Sequence, residues 1–474
     1  MNKKTIIFFY LILYPRGVSV RKIKKIENFS SLFIKIKFIS DHFLFLFVFH
    51  ILFDIYFRIN YYSQYYKITK TEFKTVNEQV IILKLTGTQS IGIKAPIVKE
   101  GDDLAAIVTK SVIEASKSSN FEIENGDVIG VTEAVVARTQ GNYATIEQLA
   151  KDVRSKFPGG VAAVLFPILS RNRFAIMLKG IAMGLDKVYL VLSYPGDEVG
   201  NQIITWEQID DAGIDPYKDV LTEAEFRKAF GENTKHLWTG VDYIEYYKSL
   251  GDNIEVVFAN RPQAALKFTK HILTADIHTR HRTKKALKAA GAETVYGLDD
   301  LLSKSVDGSG FNSDYGILGA NKATEDKIKL FPKDCSVFVG NVQKQIKDKT
   351  GKNVEVMVYG DGAFKDPVAG IWELADPVVS PGYTKGLEGT PNELKLKYLA
   401  DNEFKNLSGD ELQAALRQSI KSKQDLSGKM ESQGTTPRRY VDLIGSLCDL
   451  TSGSGDKGTP IILVKNYFDN YASE

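Results

Sequence analysis

Asp361, Asp366 and Asp376 follow one another closely behind an apolar run, Val354–Val358, and glycines flank Asp361 on both sides. A carboxylate just past a buried strand, with no side-chain bulk beside it, can present its oxygens to Mg²⁺, Mn²⁺ or a metal-bound phosphate. The competing reading is a solvated loop in which the aspartates make turns. The Gly-flanked position of Asp361 favours a site. Lys365 is the nearest basic group to it in the chain.

Basic side chains form a second set. In the stretch Asp276-Ile-His278-Thr-Arg280-His281-Arg282-Thr-Lys284-Lys285 a helix is expected to open after Thr279. Its first turns carry Arg280, Arg282, Lys284 and Lys285, which oppose the positive end of the helix unless an anion sits there. A solvated basic face, or a metal site from His278 and His281, are the alternatives. Arg171 and Arg173 could clamp a phosphate or carboxylate through bidentate guanidinium groups, or make surface salt bridges. Arg438 and Arg439 open another expected helix, where an anion would again relieve the dipole. The loop from Thr451 to Gly458 either cradles phosphate through its N–H groups or simply joins helix to strand.

Other chemistries lack their signatures. No phosphate-binding G-x-x-x-x-G-K-[ST] loop, serine-hydrolase elbow or C-x-x-C pair is present. Gly453, Gly455 and Gly458 fit G-x-G-x-x-G but precede a strand instead of linking strand to helix, the wrong context for dinucleotide binding. Cys448 lies at apolar helical spacing and reads as a buried structural thiol. The two cysteines in 474 residues suit a reducing cytoplasm.

These residues need a scaffold, and the chain supplies an alternation of short apolar runs and capped helices, the pattern of an α+β (mixed α/β) protein. Strands are expected at Val80–Leu85, Val128–Ala137, Val161–Phe166, Lys187–Leu192, Ile254–Phe258, Val354–Val358 and Pro460–Val464. Capping boxes at Thr145/Gln148, Thr390/Glu393 and Ser408/Glu411 mark helix starts. Residues 195 to 250, polar and rich in aromatics, read as an inserted subdomain or an excursion over a site.

Residues 1–76 are a different kind of sequence. They contain no alanine, one glycine and 12 of the 26 phenylalanines. They also carry 13 Lys+Arg against 4 Asp+Glu, leaving 48 against 54 for the rest. The main body is therefore mildly acidic and gives no support to nucleic-acid binding. The extension reads as upstream sequence translated from a wrongly chosen start. A membrane anchor over 43–57 and a signal segment are the alternatives. A start near Val76 or Asn77 would open directly into the first expected strand.

The order of motifs resembles the coenzyme F420-0:L-glutamate ligase (γ-glutamyl ligase) family, in its longer bacterial branch. Gly126-Asp127-Val-Ile-Gly-Val-Thr-Glu-Ala-Val-Val-Ala-Arg-Thr-Gln-Gly141 is similar to that family's "GDVLVVT-KIVSKAEGR". Gly316-Ile-Leu-Gly-Ala-Asn321, followed by Lys329-Leu-Phe-Pro-Lys-Asp334, resembles "NAGIDESN…LLPEDP". Val356-Met-Val-Tyr-Gly-Asp361 resembles "VVISDTFGR", and the segment from Asp442 to Val464 resembles the closing "DELA…MGQADEGVPVVLVRG". Residues 160–280 look like an inserted subdomain, between core parts at 77–159 and 281–474.

The resemblance implies an amide ligase that uses GTP and Mn²⁺ or Mg²⁺ to join glutamate to a phosphate-bearing acceptor through an acyl phosphate. It implies a homodimer and metal at Asp361; Asp314, Asp366 or Asp456 stand as substitutes for a family carboxylate this chain lacks. Asn321 matches the Asn after the family's "GID" segment, and Lys365 is the nearest basic residue to its missing arginine. Joined to the residue-level reading, catalytic roles are expected at Asp361 and Lys365 and nucleotide or phosphate binding at Arg171, Arg173, Arg280, Arg282, Asn321 and Arg438. The chain departs from the family pattern where the "GID" aspartate aligns with Leu318 and the "MGQ" glutamine with Ser454. Such departures leave a second expectation open, a nucleotide- or cofactor-binding protein without ligation.

Overall fold

A computed structural model describes residues 86–232, 234–236, 239–360, 379–432, 438–452 and 455–473. Along the chain its strands are β1 (Gln89–Ile93), β2 (Val128–Thr132), β3 (Tyr143–Thr145), β4 (Val161–Leu165), β5 (Lys187–Leu192), β6 (Leu221–Thr222) and β7 (Ile254–Phe258). They continue as β8 (His271–Thr274), β9 (Thr294–Gly297), β10 (Asn321–Lys322), β11 (Lys327–Lys329), β12 (Glu355–Tyr359), β13 (Gly382–Tyr383) and β14 (Ile461–Lys465). All belong to one unit spanning Lys84–Glu474. The expected strand Val80–Leu85 lies outside the described residues.

The architecture is α+β, built on two principal sheets. The first has the order β1-β14-β2-β12-β13. Within it β2 and β12 run parallel, with Thr132 level with Tyr359, and the other pairs are antiparallel. Strand alternation sorts its side chains between two covers. Ile129, Val131, Val356 and Val358 meet the helices Leu104–Ser119 and Cys335–Thr350, whereas Val128, Met357 and Tyr359 meet the helix Tyr440–Ser452. Asp103 caps the 104–119 helix by accepting from Ala106 N–H, and Gly351, at φ +72°, ends the 335–350 helix.

The cover on the second face demands a glycine. A Cβ on Gly130 would lie 2.5 Å from Cys448 Sγ. Cys448 is fully buried, and burial pushes its thiol far up, so it is the structural thiol its spacing predicts.

The second sheet, β6-β7-β5-β4-β8-β9, is parallel except at β6. Its central strand β4 is a continuous apolar run, and β5 is one after Lys187, as expected when both faces are covered. Ala162, Val164 and Leu273 face the helix Phe174–Gly184, while Ala163, Leu165 and Ile272 face the helix Arg280–Ala289. A small third sheet, β10-β11-β3, joins residues 321–329 to the chain that follows β2.

Two expectations change. Only Val128–Thr132 of the expected strand to Ala137 is extended, and Glu133–Thr139 is a helix. No helix starts at Thr390; the next one begins at Leu396. The Thr145 capping box forms, and Ser408 is an N-cap without a side-chain bond. Residues 195 to 250 fold as short helices and β6, and Tyr247 reaches back to accept from Ser170 N–H at 2.9 Å. Among the described residues no helix is long and apolar enough to cross a membrane.

Candidate active site

Parallel strands end on the same side, so β2 and β12 deliver their following residues to one edge. After β2 comes Glu133. After β12 comes Gly360, whose N–H donates to Val379 O at 2.8 Å. Residues 360 and 379 bracket the chain that contains Asp361, Lys365, Asp366 and Asp376, all of which lie outside the described residues.

Glu133 is 4% exposed, and Lys329 spans both its oxygens, at 3.2 and 3.3 Å. Lys329 is placed by β11, held between β10 and β3. Across that ladder Asn321 sits directly opposite Lys329, so their side chains share a face. Asn321 in turn is placed by the segment 316–320. Gly316 has φ +56°, and a Cβ there would meet the carbonyl oxygens of Leu298, Asp299 and Leu301 within 2.6 Å. Ile317, Leu318 and Ala320 are fully buried.

Glu133 and Lys329 were not singled out in the sequence reading. The signal available was the one that marked Asp361, an acidic residue immediately past a buried strand. It is masked because apolar residues resume at Ala134 directly after it, with no turn residue between strand and helix. Chemically the pair is a carboxylate that fixes an ammonium group in a largely desolvated place, where a cation acts strongly on nearby negative charge.

The other expected site residues scatter. Asp314 is exposed on a turn in which Asn312 Oδ1 accepts from its N–H. Arg171, Arg282 and Arg438 are exposed. Arg439 pairs with Asp442 at 2.9 Å, which answers the dipole argument there without an external anion. Arg173 is half-buried at the start of the 174–184 helix. Arg280 lies 3.5 Å from Asp299, which also takes Lys284 at 2.7 Å. Among the described residues no group of three or more His, Cys, Asp or Glu could hold a metal ion, and this covers His278 and His281.

Electrostatics tie these parts together. Burial pushes the Cys335 thiol up to about 12, with Glu133 and Asp334 adding to the rise, so it is no nucleophile. Burial raises Tyr315 as well; Asp314 and Cys335 add to it and Arg280 opposes it. At the other end of β2, Lys465 binds Glu122 O, Glu124 at 3.0 Å and Asp127 at 3.1 Å. Asp127 of the Gly126–Gly141 motif is therefore a structural anchor for β14, remote from the carboxyl edge.

Residues 92–466 match the family model described as F420-0:Gamma-glutamyl ligase. No curated protein matches the chain at a significant level.

Proposed function

We propose, for a chain that belongs to the F420-0:Gamma-glutamyl ligase family, an acid–amino-acid ligase that adds L-glutamate to a phosphate-bearing acceptor such as coenzyme F420-0. One observation carries this reading. Glu133, Asn321, Lys329 and Gly360 come from separate motif-bearing segments, and the fold gathers them around the carboxyl ends of β2 and β12.

In the proposed reaction the acceptor carboxylate takes the γ-phosphoryl group of GTP, giving an acyl phosphate and GDP. The glutamate amine then attacks the acyl carbon, an amide bond forms, and inorganic phosphate leaves with the carboxylate oxygen. The amine proton goes to solvent. Lys329, held in place by Glu133, stabilises negative charge developing on the transferred group. Asn321 offers an amide to orient the acceptor beside it.

Family resemblance adds Mn²⁺ or Mg²⁺. The described residues do not supply a cluster that fits such an ion, and Glu133 is already engaged by Lys329. A metal would therefore depend on Asp361 and Asp366, where it would supply positive charge to the phosphates.

A second reading is favoured by Leu318. It stands where the family pattern has an aspartate, and it is fully buried among apolar side chains. That substitution fits a protein that keeps the ligand site without ligation. The test incubates the full chain with GTP, Mn²⁺, L-glutamate and F420-0 and follows phosphate release and product mass. A glutamate-sized gain with phosphate release supports the ligase. Bound nucleotide with no product supports the second reading.

A further inference from the structure

Asn321 owes its place to more than the ladder with Lys329. Its neighbour Lys322 donates its N–H to Asn172 O at 2.8 Å, so the β10 edge of the third sheet is tied to the turn that follows β4. That turn closes on itself. Ser170 Oγ accepts from Arg173 N–H at 3.1 Å, and Ser170 O accepts from Ala175 N–H at 3.1 Å. Leu318, Gly319 and Ala320, just before Asn321, lie against Ile168, Phe174 and Met177 with a gap of only about 20 Å³ between them. Such a gap has room for little more than a water, and packing this close passes a shift of one side to the other.

The excursion 195–250 holds the same turn from its far side. Tyr247 OH accepts from Ser170 N–H at 2.9 Å, and Asp197 Oδ2 accepts from Leu169 N–H at 2.8 Å. Leu169 and Ser170 lie outside any helix or strand, so these two side chains supply the acceptors that secondary structure otherwise provides. Tyr247 is fully buried, with its ring edge-on to Phe174 at 5.6 Å between centres. The remaining bonds of Asp197 go to Val199 and Asn201 in its own loop.

Resting on the ligase reading of the Glu133–Lys329 edge, we propose that the excursion 195–250 positions the acceptor site, acting from Tyr247 through the 168–173 turn and β10 on Asn321. Tyr247 is a positioning residue. It fixes the turn whose Asn172 carbonyl fixes Lys322, and with Lys322 held, Asn321 stays opposite Lys329. Loosening the turn frees the β10 side of the ladder, which two residue pairs join to β11. Lys329 keeps its hold on both Glu133 oxygens and its pairing with β3. The effect therefore falls on acceptor binding, and charge stabilisation is spared.

The test is Tyr247→Phe in the full chain, with Tyr246→Phe on the same helix as the control. Phe keeps the ring against Phe174 and removes only the acceptor oxygen. Hydrogen exchange at Lys322 N–H should speed at least about five-fold in Tyr247→Phe, with the amides of β2 and β12 unchanged. KM for F420-0 should rise at least about five-fold with kcat within about two-fold, the signature of lost uniform binding. Tyr246→Phe should change neither. Unchanged exchange at Lys322 overturns the link from Tyr247 to β10. Faster exchange with KM unchanged overturns the assignment to the acceptor, and so does a fall in kcat alone. If the wild type makes no product, the ligase reading fails, and exchange at Lys322 still supports or overturns the link by itself.

Discussion

The two principal sheets end in opposite electrostatic conditions. At the carboxyl edge of β2 and β12 the buried carboxylate Glu133 is matched by Lys329. At the carboxyl edge of β4 and β8 the buried carboxylate Asp276 keeps one oxygen unpaired, beside a second carboxylate, Glu198. The first arrangement is complete in itself and suits a fixed charge that acts on a reacting group. The second leaves one carboxylate oxygen without a hydrogen bond. Pairing, more than burial, separates the two edges.

The comparison breaks most readily at the first edge. Asp361→Asn is expected to abolish turnover while leaving the melting temperature within a few degrees; a collapse of folding would return Asp361 to a structural role. At the far end of β2, Lys465→Met leaves Asp127 buried without its partner. Removing one member of a buried pair costs ~3–5 kcal/mol, so urea unfolding should show a loss of about that size.

In the second sheet the pH dependence is the sharper probe. Burial pushes Asp197 up to about 6 from the ordinary 3.8, against hydrogen bonds from Leu169, Val199 and Asn201. A raised folded pKa means that the stability contribution is whole below the unfolded value and is lost as pH rises through about 6. Between pH 4 and pH 8 the wild type should therefore lose up to ~3 kcal/mol relative to Asp197→Asn. Parallel stability curves for the two proteins would remove Asp197 as the cause.

The smallest expected effect lies in the first sheet. Gly130→Ala places its Cβ against Cys448 Sγ and should cost ~1–3 kcal/mol by overpacking. Adding Cys448→Ala should recover part of that loss; additive losses would show that the two positions do not couple.

Legibility followed the same division. The parallel strands β5 and β7 are readable to the residue, because each is a short run dominated by Val, Leu, Ile and aromatic residues with turn residues nearby. The run from Val128 was misread beyond Thr132, since an amphipathic helix can follow a buried strand with no turn residue to mark the change. Glu133 was lost with it. Lys329 was visible only as part of a motif, because its role depends on the β10–β11–β3 ladder, a long-range pairing without a local signature. The basic turn at 280–285 leaves an anion or a solvated basic face open. In the structure Glu198, some 80 residues earlier in the chain, accepts from the Ile277 and His278 N–H groups just before that turn.

The central claim is that the β2–β12 edge is the reaction centre, and Lys329→Ala tests it most directly. Turnover with GTP, Mn²⁺, L-glutamate and F420-0 should fall at least ~100-fold in a variant that still folds, although taking Lys329 from buried Glu133 also costs ~3–5 kcal/mol of stability. Turnover within about two-fold of the wild type, in a folded variant, would contradict it.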